Sequence, residues 1–310
     1  MQEYMKHKKL IVAIIVALTL GPYAAVRYFS GPDPVGSKAV IYVDTQGVAE
    51  DGAGSSLIPC RTVTQAMALA EDVGAPETYV VVNPGEYIEA GSIDWPDLDN
   101  VHLVAAVGGG AVTLQNSGAG PVLVINPGDV GETYDAYIDG IELDHAKGQI
   151  GLQIDNARQK HTLIVTAQNL TTNSQAGDPS IQVLHSGAPS VRLYISNSGQ
   201  EIEGPIVYNV GDNNDRLYVT GSTMGGKVVM QGINRLANVR MIRCMFQDGV
   251  AVSEVVNVAT ANADMSVGVP QFSLIQCIVS DPQMHIYGHD AFRAVKVEDV
   301  TGPCAVAVID

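Results

Sequence analysis

The sequence predicts an all-β fold, a right-handed single-stranded parallel β-helix of about eight rungs, where a rung is one coil of the chain. Two series of short apolar stretches interleave along the chain, and members of the first series begin 22 to 35 residues apart. A lone repeat could not bury its apolar side, so stacked repeats are required. The first series begins at Val101, Ala136, Leu163, Leu193, Leu217, Val239, Phe272 and Val295. The second begins at Pro121, Gly151, Ser180, Pro205, Lys227, Glu254, Gln283 and Cys304.

The irregular spacing of these stretches decides between repeat architectures. Leucine-rich repeats keep a fixed period, and propeller blades need four strands in roughly 40 to 45 residues. A parallel β-helix keeps its strands in register and lets the turns vary. Because strand side chains alternate between two faces, Leu217, Val219, Met241 and Leu274 should point into the core. The outward second position then reads His102, Tyr137, Ile164, Tyr194, Tyr218, Arg240, Ser273 and Lys296.

The chain divides into three segments: 1–30, which is basic and then apolar, 31–100, which opens the β-helix, and 101–310, which forms the rod. Residues 10–26 are an uncharged run of 17 residues that would reach about 25 Å as a helix. This run predicts a signal anchor in a membrane. A cleaved signal peptide and a buried assembly helix are the alternatives.

Charge supports an outward-facing rod. Residues 1–30 contain four basic residues and one acidic residue, a net of +3, which leaves −19 for the remainder of a chain of −16. Positive flanks stay on the cytoplasmic side, so we expect a membrane-anchored protein with an extracytoplasmic body at a cell or virion surface. A secreted protein is the alternative. An acidic body does not bind nucleic acid through its phosphates.

One short helix is expected in the segment 31–100. Thr62 or Thr64 can cap it, and Val63, Ala66, Met67 and Ala70 fall at the spacing of one helical face. Such a helix would cover the open end of the β-helical core.

The same segment resembles a known family. The stretches AVIYVDTQG from Ala39 and YVVVNPGEY from Tyr79 flank the expected helix. Together they look like the opening of the pectate-lyase-like right-handed β-helix superfamily. The resemblance extends over residues 39–310 and implies the fold. It implies a range of functions, since the superfamily includes polysaccharide lyases and hydrolases, phage tailspikes, virion proteins and cell-surface adhesins.

Four cysteines are present: Cys60, Cys244, Cys277 and Cys304. Cys244 and Cys277 occupy the same position in successive rungs, so they should stack inward about 5 Å apart. They form either a disulfide bond or a ladder of two small apolar thiols. No CxxC, HExxH or EF-hand pattern occurs, so we predict no metal site.

A catalytic site requires clustered polar residues on the outer surface. The richest cluster consists of Asp139, Glu142, Asp144 and His145. Arg240 and Arg243 lie three or four rungs away, about 15 to 20 Å, which is too far to share one active site. We therefore predict no catalytic residues and no cofactor, and Ca²⁺ is the one ion that the resemblance would allow.

Three outward tyrosines, Tyr137, Tyr194 and Tyr218, are candidates for glycan binding because aromatic rings offer flat apolar faces to sugars. A ladder of stacked side chains that only stabilises the sheet is the alternative.

The sequence favours a non-catalytic structural or adhesive rod displayed on a cell or virion surface. Glycan binding through the tyrosine column is a second hypothesis. A polysaccharide lyase or glycoside hydrolase is the alternative that the resemblance implies. We also expect the rung that ends at residue 310 to contact identical chains or another component of a particle, because an uncovered rung leaves backbone groups unpaired. A loop of the same chain that folds back over this rung, at residues 262–269, is the alternative.

Overall fold

The computed structural model describes residues 33–35, 38–49, 53–128, 133–174, 177–185, 189–196, 201–209, 211, 214–231, 238–247, 254–256, 271–280, 283–287, 294–302 and 305–309. The predicted membrane anchor at residues 10–26 lies outside this part of the chain. Within it, no helix is both long and apolar enough to cross a membrane.

The strands of the described part are short, most of them two to seven residues long. In chain order they are β1 (Asp33–Val35), β2 (Lys38–Val48), β3 (Glu77–Val82), β4 (Gly85–Glu89), β5 (Ile93–Asp94), β6 (Val101–Ala105), β7 (Val112–Asn116), β8 (Leu123–Ile125), β9 (Thr133–Asp139), β10 (Ile141–His145), β11 (Leu152–Asp155), β12 (Thr162–Gln168), β13 (Thr171–Ser174), β14 (Ile181–Leu184), β15 (Val191–Ser196), β16 (Glu201–Ile202), β17 (Ile206–Asn209), β18 (Arg216–Thr220), β19 (Thr223–Met224), β20 (Val228–Gln231), β21 (Asn238–Ile242), β22 (Met245–Phe246), β23 (Glu254–Val256), β24 (Gln271–Ile275), β25 (Ile278–Val279), β26 (Gln283–Tyr287), β27 (Ala294–Glu298) and β28 (Ala305–Ile309).

These strands form three stacked parallel sheets and a separate two-stranded parallel sheet of β26 and β28. The largest sheet begins with one antiparallel pair, β1 and β2. Sheet A runs β1-β2-β3-β6-β9-β12-β15-β18-β21-β24-β27. Sheet B runs from β4 through β7, β10, β13, β16, β19 and β22 to β25, and sheet C from β5 through β8, β11, β14, β17 and β20 to β23. The chain therefore visits sheets A, B and C in turn, which is the organisation of a parallel β-helix.

Both predicted series of strands are present, the first in sheet A and the second in sheet C and the sheet of β26 and β28. Sheet B was not predicted. Several of its strands, such as β19 and β22, have two residues. Two residues cannot display the alternation that identifies a strand in a sequence.

The register of sheet A agrees with the predicted alignment except at one stretch. Val101 pairs with Ala136, and Leu193 pairs with Leu217, as predicted. Ala136 pairs with Val165 and not with Leu163, so that stretch was aligned two residues too early. Because side chains alternate with a period of two, the error preserves which residues point inward. In the observed register, Thr166 and not Ile164 stands in the outward column, between Tyr137 and Tyr194.

The core lies between the three sheets. The predicted inward residues Leu217, Val219, Met241 and Leu274 are all at most 1 % exposed. They lie in two inward columns: Leu217 is aligned with Leu193 and Val239, and Val219 is aligned with Ile195, Met241 and Leu274. Both columns belong to one buried apolar cluster.

The predicted helix, α1 (Val63–Val73), is present. The hydroxyl of Thr62 accepts a hydrogen bond from the Gln65 N–H at 3.1 Å, as an N-cap does. Gly74 ends the helix with φ of 58°, a left-handed conformation that glycine adopts without strain. The predicted helical face, Val63, Ala66, Met67 and Ala70, is buried in the core.

At six turns the residue that directly follows a strand of sheet A has positive φ. These residues are Gly140, Asn169, Gly221, Arg243, Gln276 and Asp299. Positive φ is uncommon outside glycine, yet four of these six residues are not glycine. The shape of the coil therefore imposes this backbone conformation, whatever residue stands there. Asn169 also donates a hydrogen bond from Nδ2 to Asp139 Oδ1 at 2.8 Å.

The corner turns the following residue into the core, which explains the cysteine positions. Cys244 and Cys277 are buried free thiols, and so is Cys60, while Cys304 lies outside the described residues. Cys244 Sγ donates to the Val219 carbonyl at 3.5 Å, and Cys277 Sγ donates to the Met241 carbonyl at 3.6 Å. Contact with Cys277 and burial raise the pKa of the Cys244 thiol. Cys244 and Cys277 are therefore arranged as two stacked free thiols and not as a disulfide bond.

Candidate functional site

The outer face of sheet A has a central column with one residue per strand. From β3 to β21 the column reads Tyr79, His102, Tyr137, Thr166, Tyr194, Tyr218 and Arg240. All three predicted glycan-binding tyrosines lie in it. Thr166 separates Tyr137 from Tyr194, so the column consists of two aromatic groups with different geometries.

The first group is a parallel stack. The rings of Tyr79 and His102 are 4.4 Å apart at an interplanar angle of 15°, and those of His102 and Tyr137 are 4.3 Å apart at 5°. Lys38 Nζ lies 5.4 Å from the Tyr79 ring centroid, on a ring already stacked against His102. Both faces of His102 and one face each of Tyr79 and Tyr137 are covered by a neighbouring ring, so this group has the geometry of a stabilising ladder.

A carboxylate beside the stack holds it in place. Glu77 Oε1 accepts hydrogen bonds from Lys38 Nζ at 2.7 Å and from the Tyr79 hydroxyl at 2.5 Å. These bonds lower the pKa of Glu77 and raise the pKa of Tyr79. Burial lowers the pKa of His102, since a charged imidazole in the stack would lose its water. The stack is therefore most stable with Glu77 ionised and His102 neutral.

The second group is open and basic. The rings of Tyr194 and Tyr218 meet edge to face, with centroids 5.4 Å apart at 79°. Arg240 Cζ lies 5.3 Å from the Tyr218 ring centroid. In the column beside these tyrosines, Arg192 pairs in register with Arg216 on the adjacent strand.

We call the outward residues of β15, β18 and β21 the Arg–Tyr patch. Its members are Arg192, Tyr194, Ser196, Arg216, Tyr218, Thr220, Asn238, Arg240 and Ile242. The patch contains three arginines and no acidic residue. No ion pair links any of these arginines to a carboxylate in the part of the chain that the structure describes.

The tyrosines of the patch and Arg240 were predicted from the sequence, whereas Arg192 and Arg216 were not. A signal was present, because the tripeptide Arg-Leu-Tyr occurs at 192–194 and again at 216–218. Alternation then requires both arginines and both tyrosines to share one face, with the leucines in the core.

The four residues of the predicted polar cluster lie on two different sheets and in the core. Asp139 ends β9 on sheet A. Glu142 and Asp144 point outward from β10 on sheet B, where they accept hydrogen bonds from Thr113 and Gln115 at 3.3 and 2.7 Å. The fourth member, His145, points inward and is fully buried. The structure therefore does not bring these four side chains to one surface.

His145 lies in the core, and neither of its ring nitrogens has a hydrogen-bond partner. Burial lowers its pKa below the ordinary value of 6.5. The folded state therefore binds fewer protons than the unfolded state, so stability is present above about pH 6.5 and is lost as the pH falls below it.

Replacing this histidine tests that account. His145→Leu should raise the free energy of unfolding by about 1 to 3 kcal/mol, since it removes an unpaired buried polar group, and should reduce the loss of stability between about pH 7.5 and 5.5. Chemical denaturation at the two pH values measures both effects. His145→Gln is the control, because it abolishes the titration but keeps a buried polar group, so it should reduce the pH dependence without the gain. A His145→Leu variant as pH-sensitive as the parent chain would contradict the assignment.

A second buried polar cluster, which the sequence analysis missed, joins the turns between sheets C and A. Asp215 and His185 are fully buried, with Asp215 Oδ1 3.3 Å from His185 Nε2. Asn156 Nδ2 lies 3.4 Å from the same His185 nitrogen and donates to the Pro189 carbonyl at 2.5 Å. The cluster has no exposed side chain, so its role is to hold the turns together.

Comparison with protein-family models, with curated proteins and with solved structures finds no match for this chain. The geometry of the chain itself must carry any functional assignment.

A metal site and a ligand pocket are the two other kinds of site for which the described residues can be examined by geometry. No group of three or more His, Cys, Asp or Glu side chains there is placed to hold a metal ion. A cleft of about 150 Å³ lies beside α1 and includes Glu89, which accepts a hydrogen bond from the Val63 N–H at 2.7 Å. Ligand pockets usually measure roughly 300 to 1,000 Å³, so this cleft is small and its carboxylate already caps a helix. The Arg–Tyr patch is the stronger candidate.

Proposed function

We propose that the protein is a structural and adhesive rod, displayed at a cell or virion surface, that binds glycans on the outer face of sheet A. The observation that carries the proposal is the pair Tyr194 and Tyr218, which lie side by side on a rigid sheet with their rings partly exposed. Tyrosine combines an apolar ring, suited to the C–H face of a sugar, with a hydroxyl that bonds to sugar hydroxyls. A sheet holds such rings in position at little entropic cost on binding.

The proposal extends to the finer features of the fold. We propose a right-handed coil of about eight rungs within the pectate-lyase-like superfamily, supported by the three parallel sheets and by the resemblance of the opening segment. Residues 10–26 would anchor the rod in a membrane. The coil that includes β28 would contact identical chains or another component of a particle.

A glycan array carrying neutral and acidic oligosaccharides tests the function. The full chain should bind a subset of them, and a Tyr194→Ala/Tyr218→Ala double variant should bind at least about tenfold more weakly, because both contact rings are lost. Tyr137→Ala is the matched control, since this ring belongs to the covered stack, and it should retain binding. Melting temperatures of all variants establish that each one folds.

Two outcomes would contradict the proposal. One is the absence of binding to every glycan on the array, and the other is binding that the double variant leaves unchanged. Release of shortened or unsaturated products during incubation, with and without Ca²⁺, would instead support the lyase or hydrolase alternative.

A further inference from the structure

The cleft beside α1 lies in the first coils of the β-helix, several strands away from the Arg–Tyr patch. It forms where three elements meet: β2 at Thr45, the start of α1 at Arg61, and β4. β4 is the last strand of sheet B at this end, so one of its edges has no partner strand among the described residues. Main-chain N–H and C=O groups on such an edge are available to a ligand.

Glu89 is the unusual residue of this cleft. Its side chain belongs to the cleft wall, yet the residue is only 4 % exposed. Glu89 Oε1 accepts a hydrogen bond from the Val63 N–H at 2.7 Å, and among the described residues this is the one hydrogen bond to the carboxylate. A carboxylate has about four acceptor positions, and a buried charge is costly without a partner. The second oxygen, Oε2, therefore calls for a donor, preferably a positively charged one.

The cleft also contains charges of both signs that do not pair with one another. Arg61 and Glu86 are exposed residues that line it together with Glu89. Within the described part of the chain, no ion pair joins Arg61 to either glutamate. A ligand that carries both an ammonium group and a carboxylate would neutralise the charges on both sides of the cleft.

The size of the cleft limits the ligand. Its volume is about 150 Å³. An engineered protein cavity of about this volume holds one benzene molecule. Glycine and alanine have about as many non-hydrogen atoms as benzene, whereas a hexose or an aromatic amino acid has roughly twice as many. The cleft is therefore suited to a small zwitterion and not to a sugar.

We infer that this cleft binds a small free α-amino acid, with the ammonium group held by Glu89 and Glu86 and the carboxylate held by Arg61. A guanidinium presents a planar fork of N–H donors that matches the two oxygens of a carboxylate. Thr45 adds a hydroxyl to the wall of the site. The ligand would contact β2, α1 and β4 together, so its binding should also stabilise the capped end of the β-helix. This site is separate from the proposed glycan-binding surface and does not depend on it.

Matched ligands test the inference by titration calorimetry with the full chain. Alanine should bind at least about tenfold more tightly than N-acetylalanine, which lacks the ammonium group, or alaninamide, which lacks the carboxylate. Glycine should bind much as alanine does, and tryptophan should not bind, because it exceeds the volume of the cleft. Saturation with alanine should also raise the melting temperature.

Three variants locate the site. Arg61→Gln should bind alanine no more tightly than alaninamide, since the partner of the carboxylate is lost. Glu89→Gln removes the charge but keeps an oxygen for the Val63 N–H, so it should fold and bind alanine at least about tenfold more weakly. If Glu89→Gln does not fold, Glu86→Gln at an exposed position provides the same comparison. Lys147→Gln, which removes an exposed charge between β10 and β11, is the control and should bind alanine as the parent chain does.

Equal affinity of the parent chain for alanine and its two analogues would overturn the inference, and so would the absence of alanine binding at millimolar concentrations. Unchanged affinity for alanine in the Arg61 and glutamate variants would place the ligand elsewhere and overturn it as well. Tyr194→Ala/Tyr218→Ala should bind alanine as the parent chain does, which keeps this result distinct from the glycan-binding test.

Discussion

Val219→Asp is expected to abolish folding of the β-helix, whereas Thr220→Asp at the next position should leave it folded. Val219 is fully buried at the centre of sheet A, between Ile195 and Met241 on the adjacent strands. A carboxylate there would lose its hydration among apolar side chains. The neighbouring coils repeat the same apolar column, so the cost, about 4 kcal/mol or more, cannot be relieved by a small movement.

Thr220 is the matched control because it lies on the same strand and points to the opposite face. Its outward position keeps an introduced carboxylate hydrated, so Thr220→Asp should change the free energy of unfolding by about 0.5 kcal/mol or less. Circular dichroism and chemical denaturation of both variants measure the difference. Similar destabilisation by the two substitutions would show that the register of β18 is wrong.

Asp215→Ala is expected to destabilise the protein by about 3 to 5 kcal/mol, because it removes one member of a fully buried, hydrogen-bonded network and leaves its partners unsatisfied. Asp215 Oδ1 accepts a hydrogen bond from the Val191 N–H at 2.9 Å, and Oδ2 accepts one from the Gly211 N–H at 2.9 Å. These bonds connect the start of β15 with the turn before β18. Alanine would leave both N–H groups without their acceptor and His185 without its carboxylate.

An exposed aspartate with a similar local bond provides the comparison. Asp155 Oδ1 accepts a hydrogen bond from the Ala157 N–H at 2.9 Å, but at an exposed site where water can replace it. Asp155→Ala should therefore cost less than about 1 kcal/mol. Asp215→Asn, which keeps the shape but offers one acceptor oxygen, should lie between the two. Chemical denaturation ranks the three variants, and equal losses for the two alanine variants would remove the structural role of the buried cluster.

Local patterns in the sequence were sufficient for the longer strands and for α1. The alternation in LYIS and LYVT places Leu193 and Leu217 inward and Tyr194 and Tyr218 outward, whatever the rest of the fold. The spacing of apolar residues predicted the buried face of α1 in the same way, and of the two threonines that could cap it the structure selects Thr62. Both signals depend on residues that are close together in the chain, so no knowledge of distant contacts was needed.

Positions that depend on pairing between coils were less accessible. In the stretch at Leu163, the alternating apolar pattern can begin at Leu163 or at Val165. Only the hydrogen bonds with β9 select Val165 as the partner of Ala136. The two-residue strands of sheet B also depend on pairing between coils, because their only partners are strands of the adjacent coils. His145 illustrates the consequence: without β10 as a strand, its place beside two acidic residues suggested a surface cluster, whereas alternation along β10 puts it in the core.

By itself, the sequence determined the two series of strands, the inward and outward faces of the first series where the structure describes them, and the buried face of α1. The tertiary structure alone decided the third sheet, the burial of His145 and the network around Asp215. The physical reason is range. Alternation and capping arise within a few residues, whereas the distance between two side chains on different coils depends on hydrogen-bond register across more than 20 residues of intervening chain, as between Val191 and Asp215.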